Sequence, residues 1–178
     1  SDLPWTLYRG KHLVNFADNH DVTRVASILT DKNQLEPLYG VLFAMPGIPC
    51  LYYGSEWGAE GEKYRGDGDL RPCFEWPAEN ALTEWIAKLA AVKRESRALN
   101  FGDYRNVTIQ NKNLLFERVC PEETVLVAVN AENAPCSIDA RGSFTAQDLL
   151  TGETVAVNGR VELPPYGRSE EHTSELQS

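Results

Sequence analysis

The sequence predicts an α/β unit over residues 1–99 followed by an antiparallel all-β unit over residues 100–167. Two observations predict this division. Up to residue 99, short apolar runs alternate with segments whose apolar residues recur at helical spacing, which is typical of a parallel sheet or barrel covered by helices. From residue 103 onward, apolar residues recur at every second position between turn-forming residues, which is typical of a small antiparallel β-sandwich.

Two β-prone runs of the α/β unit end in polar residues. The run 12–17 leads into Asp18-Asn19-His20-Asp21. The run 48–53 is continuously apolar, which is typical of a strand buried on both faces, and it leads into Gly54-Ser55-Glu56. In a barrel of βα units the chemistry lies on the loops that follow the strands, so both polar segments are candidate site residues.

The rest of the α/β unit consists of helices and one long loop. We expect helices over residues 21–29, 34–45 and 80–98, the last with Asn80 as its N-cap. Residues 57–79 contain four glycines and two prolines and predict a long loop. Loops of this length inside a compact unit are usually functional or disordered.

Short β runs separated by turn residues fill the second unit. Asn158-Gly159 is the strongest hairpin signal, because both residues tolerate a positive φ angle. The runs cover residues 104–110, 114–120, 124–130, 136–140, 144–148, 154–157 and 161–163.

Composition excludes several functional classes. The 178 residues are 42% hydrophobic and 24% charged, ordinary values for a globular chain. With 26 acidic and 17 basic residues the net charge is −9, so the chain lacks the basic surface that nucleic acids and anionic membranes require. No apolar run reaches the roughly 18 residues of a membrane span.

The four cysteines form neither a disulfide framework nor a CxxC motif. We expect Cys50, Cys73, Cys120 and Cys136 to be buried free thiols. No cluster of His, Cys and Asp residues has the spacing of metal ligands, so no metal site is predicted in this segment.

The C-terminal residues 168–178 are polar and lack an apolar period, so we expect a disordered tail. They can also be back-translated into a string that resembles a widely used short-read sequencing adapter. We therefore treat them as an artefact outside the natural chain, which is then a gene fragment open at both ends.

Two motifs carry a resemblance to the α-amylase family of glycoside hydrolases. Phe16–Asp21 (FADNHD) resembles the motif at the end of that family's seventh barrel strand, and Gly47–Glu56 (GIPCLYYGSE) resembles the motif of the eighth strand. The resemblance covers about residues 8–167. It implies the last two βα units of a (β/α)8 TIM barrel followed by a C-terminal β-sandwich. The loop Gly66–Phe74 (GDGDLRPCF) is most similar to the cyclomaltodextrinase, neopullulanase and maltogenic-amylase group.

The resemblance implies a role for each motif residue. Asp21 matches the carboxylate that stabilises the transition state, and His20 matches a histidine that donates a hydrogen bond to the same sugar. A carboxylate suits the first role because it supplies negative charge beside an oxocarbenium-like sugar. Asn19 is expected to hold the turn. Asp67 and Arg71 either line the sugar cleft or form an exposed ion pair.

Three further positions are expected to have supporting roles. Glu56 is expected to brace the strand end. Arg24 either orients the Asp21 loop or faces solvent. Ser55 stands where an acidic residue is common in the family, which puts a polar role of that position in doubt. The loop aromatics either form a sugar subsite or pack as a small satellite core; they are Trp57, Tyr64, Phe74 and Trp76.

The resemblance also defines what this chain lacks. The family's nucleophilic Asp and general-acid Glu follow the fourth and fifth barrel strands, and both would precede Ser1. We therefore expect a retaining α-glucan-active parent enzyme and a chain that is inactive alone. The expected partner is a maltodextrin- or cyclodextrin-type oligosaccharide, and calcium and a homodimer are features of the parent rather than of this segment. The compartment stays open, with the cytoplasm favoured by the unpaired cysteines.

Three alternatives remain. The chain could be a non-catalytic carbohydrate-binding β-sandwich with a helical appendage, which predicts exposed aromatic residues on one face of the β unit. It could belong to a transglycosylase of the same family. It could also be a different barrel enzyme with an unrelated Asn-His-Asp turn, since fold alone does not fix function.

Overall fold

The α/β unit is built on two short parallel strands. In a computed structural model that describes residues 11–173, and the side chains of residues 11–167, strand β1 (Val14–Phe16) pairs in parallel with β2 (Ile48–Cys50). Helices α1 (Val25–Ile28) and α2 (Leu35–Ala44) lie between these strands in sequence. Both strands therefore end at the same edge of the sheet, where the polar segments begin.

A long amphipathic helix packs on α2 and forms the core of this unit. Helix α4 (Ala81–Glu95) begins at Asn80, whose side-chain oxygen accepts hydrogen bonds from the amides of Leu82 and Thr83 at 3.0 and 3.3 Å. The Trp85 indole donates to the Glu36 carbonyl at 3.1 Å, which fixes α4 against α2. The buried cluster between them contains Val25, Ala26, Leu35, Tyr39, Leu42, Phe43, Leu82, Trp85, Ile86 and Leu89.

The loop predicted over residues 57–79 contains two short helical turns. One is a 3-10 turn, Lys63–Arg65, and the other is helix α3 (Asp67–Leu70). The helix predicted to continue to residue 98 ends earlier, and a separate helix, α5 (Arg97–Phe101), begins at Ser96. The Ser96 hydroxyl caps α5 by accepting from the Leu99 amide at 3.0 Å.

The second unit is antiparallel, as predicted, and its strands form one six-stranded sheet of order β3-β4-β5-β8-β6-β7. The sheet folds back on itself, because the Thr108 hydroxyl on β3 donates to the Asp139 carbonyl on β6 at 3.0 Å, although three strands separate β3 from β6 in the sheet. Leu115 and Ile138, both fully buried, belong to the apolar cluster between the two halves. The strands are β3 (Asp103–Gln110), β4 (Asn113–Cys120), β5 (Glu123–Asn130), β6 (Cys136–Asp148), β7 (Thr154–Leu163) and β8 (Arg168–Thr173).

The prediction of a hairpin turn at Asn158-Gly159 is wrong. Both residues lie inside β7, and the register with β6 slips between Asp139 and Ser143, where Arg141 has a φ of 55° and Gly159 one of 79°. The positive φ angles that suggested a turn serve a β-bulge instead. The runs 136–140 and 144–148 are therefore one bent strand.

The expected disordered tail is also wrong over residues 168–173. This segment forms β8, which pairs with β5 through Val129↔Arg168 to Thr124↔Thr173 and with β6 at Gln147↔His172. The backbone of β8 is hydrogen-bonded between β5 and β6, which have no other common neighbour in the sheet. This backbone pairing explains why a segment without apolar alternation forms a strand there. Residues 174–178 lie outside the described residues.

Buried polar contacts join the two units. The guanidinium of Arg118 on β4, 1% exposed, donates to the carbonyls of Ala44, Leu99 and Gly102 at 2.6, 3.0 and 2.8 Å. A cation therefore lies at the carboxyl ends of α2 and α5, where it is electrostatically favoured. At the other end of α5, the Glu123 carboxylate accepts from the Ala98 amide at 2.6 Å.

Two predictions of burial are wrong. The strand 48–53 is not buried on both faces, since Ile48 is 53% exposed and Val14 beside it is 57% exposed. Helices cover only part of this two-stranded sheet within the described residues. The cysteines are free thiols, but Cys50 and Cys73 are exposed and the other two are half-buried.

Candidate functional site

The polar segment after β1 forms an open turn. The Asn19 side-chain oxygen accepts from the Asp21 amide at 2.8 Å, which closes an Asx-type turn and presents the next two side chains outward. His20 Nε2 lies 3.1 Å from Asp21 Oδ2, and these side chains are 55% and 62% exposed. The carboxylate and the imidazole therefore lie together on the accessible surface at the end of β1.

Helix α3 brings the other two predicted site residues to the same place. Arg71 Nη2 lies 3.4 Å from Asp21 Oδ1 and 3.7 Å from Asp67 Oδ2. Lys63 Nζ lies 3.3 Å from Asp67 Oδ1. The four predicted residues Asp21, His20, Asp67 and Arg71 thus form one exposed cluster, although 50 positions separate Asp21 from Arg71 in the sequence.

Asp67 is unsuited to act as a general acid. The hydrogen bond from Lys63 and then the charge of Arg71 lower the pKa of Asp67 below its ordinary value of 3.8. Asp67 is therefore ionised at neutral pH and holds no proton to give to a leaving group. Asp67 instead offers acceptor oxygens, and Arg71 offers donors, to a neutral polar ligand.

The aromatic side chains of residues 53–76 fall into a packed and an exposed group. Phe74 packs edge-on against Tyr53 and Trp57, with ring centroids 5.8 and 5.2 Å apart, so these loop aromatics form a small packed cluster. Tyr64 and Trp76 instead are 78% and 82% exposed. The sequence left open whether the loop aromatics pack as a small core or form a sugar subsite. In the structure one group of rings is packed and the other is exposed.

Arg24 does not face solvent. Its side chain is fully buried, and its guanidinium donates to the carbonyls of Tyr53 and Leu70 at 2.8 and 3.0 Å. The guanidinium carbon also lies 4.6 Å from the centre of the Tyr52 ring. The alternative in which Arg24 faces solvent is therefore wrong, and that it orients the Asp21 loop stays a prediction.

Sequence reasoning missed the buried polar contacts next to Arg24. Asp18 is 2% exposed, and its carboxylate accepts from the Val25 amide at 2.9 Å and from the Ser55 hydroxyl at 2.8 and 3.0 Å. Ser55, doubted from the sequence as a polar position, therefore has a buried polar contact. No local pattern marked Asp18 for burial, since it follows the β-prone run 12–17 as one more polar residue of the segment 18–21.

Glu56 lies beside the site but makes a different contact from the cluster residues. Its carbonyl accepts from the Thr83 hydroxyl at 3.0 Å, which ties the end of β2 to the first turn of α4. Its Oε2 atom is buried and has no hydrogen-bond partner among the described residues.

No group of three or more potential metal ligands occurs within the described part of the chain, and none of its helices is long and apolar enough to cross a membrane.

Two carboxylates, an imidazole and a guanidinium thus form an exposed cluster at the carboxyl ends of two parallel strands, the place where α/β barrel enzymes bind their ligands. Comparison with known families agrees. Residues 5–111 match the family described as Alpha amylase, catalytic domain, and residues 104–168 match the Maltogenic Amylase, C-terminal domain. The chain therefore belongs to the α-amylase family of glycoside hydrolases.

Individual relatives support the same assignment. The chain is 32% identical over 166 residues to the cyclomaltodextrinase of Geobacillus thermopakistaniensis, covering 86% of this chain and 28% of that protein. It is 31% identical over 170 residues to a cyclomaltodextrin glucanotransferase of Geobacillus stearothermophilus, covering 88% and 23%. The chain thus spans about a quarter of the length of these relatives.

A solved structure shows the same fold. The α-amylase of Geobacillus thermoleovorans, complexed with acarbose, superposes with a TM-score of 0.82 at 20% identity. The superposition covers 93% of this chain and 40% of that one. Such structures are amylase TIM-barrel proteins with a C-terminal domain, so the α/β and all-β units occur together in the fold.

Proposed function

We propose that this chain is the part of a retaining α-glucan-active glycoside hydrolase that supplies the transition-state-stabilising Asp21 and the sugar-binding residues His20, Asp67 and Arg71. The observation that carries the proposal is that two segments distant in sequence, one with His20 and Asp21 and one with Asp67 and Arg71, converge on one exposed cluster. Relatives named cyclomaltodextrinase and cyclomaltodextrin glucanotransferase support maltodextrin- or cyclodextrin-type substrates.

Each side chain has a chemical task in this function. Cleavage of a glycosidic bond develops positive charge on the sugar ring, and the Asp21 carboxylate stabilises this charge while it accepts hydrogen bonds from ring hydroxyls. His20 donates a hydrogen bond to the same sugar, and Arg71 and Asp67 bind the hydroxyls of a neighbouring sugar. Arg71 Nη2 lies between the two carboxylates, 3.4 Å from Asp21 Oδ1 and 3.7 Å from Asp67 Oδ2.

The nucleophile and the general acid come from outside this cluster. A retaining hydrolase needs a nucleophilic carboxylate and a protonated carboxylic acid about 5 Å apart. Asp67 is unsuited to the acid role because its pKa is lowered. We propose that the α/β unit represents the last two βα units of the barrel, and that the other units carry the missing pair. The exposed Val14 and Ile48 of β1 and β2 support this, because neighbouring strands of a barrel would cover them.

The β-sandwich alternative finds less support. It requires exposed aromatic rings on the β unit, and between residues 103 and 167 no aromatic side chain is exposed. Phe116 is fully buried, and Tyr104 stacks against it with ring centroids 5.0 Å apart. The transglycosylase alternative shares the bond-cleaving step, so it shares the roles proposed here.

A titration of the isotope-labelled 178-residue chain with maltotriose tests the proposal by NMR. We expect signals of His20, Asp21 and Arg71 to shift with a dissociation constant of about 1–10 mM, because only part of the sugar site is present. Cellotriose, which is β-linked, is the matched control ligand and should leave them unchanged. The Asp21→Asn variant should bind at least tenfold more weakly while its melting temperature stays constant, since its exposed ion pair contributes little to stability.

Two results would count against the proposal. Equal shifts with cellotriose would remove the α-glucan assignment. Hydrolysis of maltodextrin by this chain above a buffer blank would show that it already contains a nucleophile and an acid.

A further inference from the structure

Arg24 carries a fully buried charge, and no direct ion pair joins it to any residue that the structure describes. Its two terminal nitrogens donate to main-chain carbonyls and to one hydroxyl, at 2.8, 3.0 and 3.3 Å. Burying a cation is costly unless hydrogen bonds and a counter-charge compensate it. The carbonyls supply hydrogen bonds, so the question is where the negative charge lies.

Ser55 connects Arg24 to that negative charge. Its hydroxyl accepts from Arg24 Nη1 at 3.3 Å and donates to the Asp18 carboxylate at 2.8 and 3.0 Å. All three side chains are at most 2% exposed. The result is an ion pair bridged by a hydroxyl group, in which the hydroxyl uses both its acceptor and its donor capacity.

The bridged pair joins the segments that carry the cluster residues. Arg24 follows Asp21 by three residues, and one of its carbonyl partners, Leu70, directly precedes Arg71. The Arg24 amide also donates to the Gly61 carbonyl at 2.9 Å. A Cβ atom on Gly61 would lie 2.5 Å from the Asp69 carbonyl oxygen and 3.3 Å from the Arg24 side chain, so the loop fits closely against this arginine.

We propose that Arg24, with its charge balanced by Asp18 through the Ser55 hydroxyl, is a positioning residue that fixes Arg71 and Asp67 at their distances from Asp21. Arg24 touches no residue of the exposed cluster through its guanidinium, so it acts through the main chain of residues 61–71. Positional precision of about an ångström is what sugar-binding and catalytic groups require from their support. The positioning itself does not depend on the proposed function. Only the statement that the positioned groups bind sugar rests on it.

The chain contains a matched control for this proposal. Arg118 is also buried and also donates to three acceptors, all of them main-chain carbonyls, but it lies between the two units rather than beneath the cluster. Arg24→Met and Arg118→Met therefore remove the same kind of side chain at two places. Both should lower global stability, and only the first should loosen the loop.

Amide hydrogen exchange and the titration of Asp67, measured by NMR on the 178-residue chain without sugar, separate the two variants. In Arg24→Met we expect at least a tenfold loss of protection across residues 61–71 beyond the loss in Arg118→Met. The pKa of Asp67 should rise toward its ordinary value in Arg24→Met alone, because Lys63 and Arg71 move away from it. Equal behaviour of the two variants in both measurements would overturn the positioning role.

A second set of variants tests the hydroxyl bridge with milder changes. Ser55→Ala should reduce protection of residues 61–71 by less than Arg24→Met does. Ser55→Asp places a second carboxylate beside Asp18, and the repulsion between them should destabilise the chain. Adding Asp18→Asn to Ser55→Asp should raise the folding equilibrium constant at least tenfold above that of Ser55→Asp alone. Independent, additive effects of these two changes would contradict the bridge. Absence of maltotriose binding by the wild-type chain, with loop protection changing in the variants as predicted, would instead count against the proposed function.

Discussion

Replacing Arg118 by methionine should destabilise the whole chain, because this one side chain joins both units. The wild-type guanidinium donates three hydrogen bonds, of 2.6–3.0 Å, to carbonyls at the ends of α2 and α5. Methionine has a similar length and no donor, so the change leaves these buried carbonyls without their partner and creates little empty space.

The expected loss follows from two opposing contributions. Three hydrogen bonds from a charged group contribute about 1.5–3 kcal/mol each. Burial lowers the pKa of Arg118 to about 10, which corresponds to a cost of about 3 kcal/mol for holding the charge there. Methionine avoids that cost, so the net loss in unfolding free energy is about 3 kcal/mol, within the range of about 2–6 kcal/mol that these contributions span.

Urea denaturation followed by circular dichroism and tryptophan fluorescence measures this loss. All four tryptophans lie within residues 1–99, whereas the β unit dominates the strand signal. Coincident transitions would therefore show that both units unfold together. Arg118→Lys is the control and should recover part of the stability, since an ammonium group reaches fewer carbonyls. A loss below about 0.5 kcal/mol for Arg118→Met would refute the role assigned to this contact.

Two further predictions concern the N-cap of α4 and the contact between Asp31 and Tyr166. Asn80→Ala should lower the unfolding free energy by about 1 kcal/mol, because the amides of Leu82 and Thr83 lose their acceptor, and Asn80→Asp should retain most of it; equal losses in urea melts would contradict the capping role. The hydrogen bond from Tyr166 is the largest cause that lowers the pKa of Asp31 below 3.8, so Tyr166→Phe should raise the pKa of Asp31 in an NMR titration. Because the folded pKa is depressed, this contact stabilises the fold above the ordinary carboxyl pKa and loses its effect as the pH falls through the folded value. A stability difference between wild type and Tyr166→Phe that persists unchanged at lower pH would contradict the assignment.

The elements with strong local signals were predictable from the sequence. Helix α4 has apolar residues at helical spacing and Asn80 at its start, and the structure shows both the helix and the cap. The polar residues after β1 and β2 were predictable as neighbours because parallel strands end at the same edge of a sheet. The period of two identified the antiparallel unit, although it could not show that one sheet folds back on itself.

Contacts between distant positions were not predictable. Ser55 joins Arg24 across 31 positions and Asp18 across 37, and no local pattern encodes such a pairing. Strand β8 has no apolar alternation, so only the vacant ladder between β5 and β6 accounts for it. The bulge at Gly159 has the same residue preference as a hairpin turn, because both require a positive φ angle.

A crystal structure of the chain with maltotriose tests the central claim most directly. We predict that one glucose ring lies within hydrogen-bond distance of the Asp21 carboxylate and the His20 imidazole, with the adjoining ring against Arg71 and Asp67. The same soak of Asp21→Asn should leave the site without sugar. Maltotriose bound only on the β unit, or bound identically in both proteins, would contradict the account.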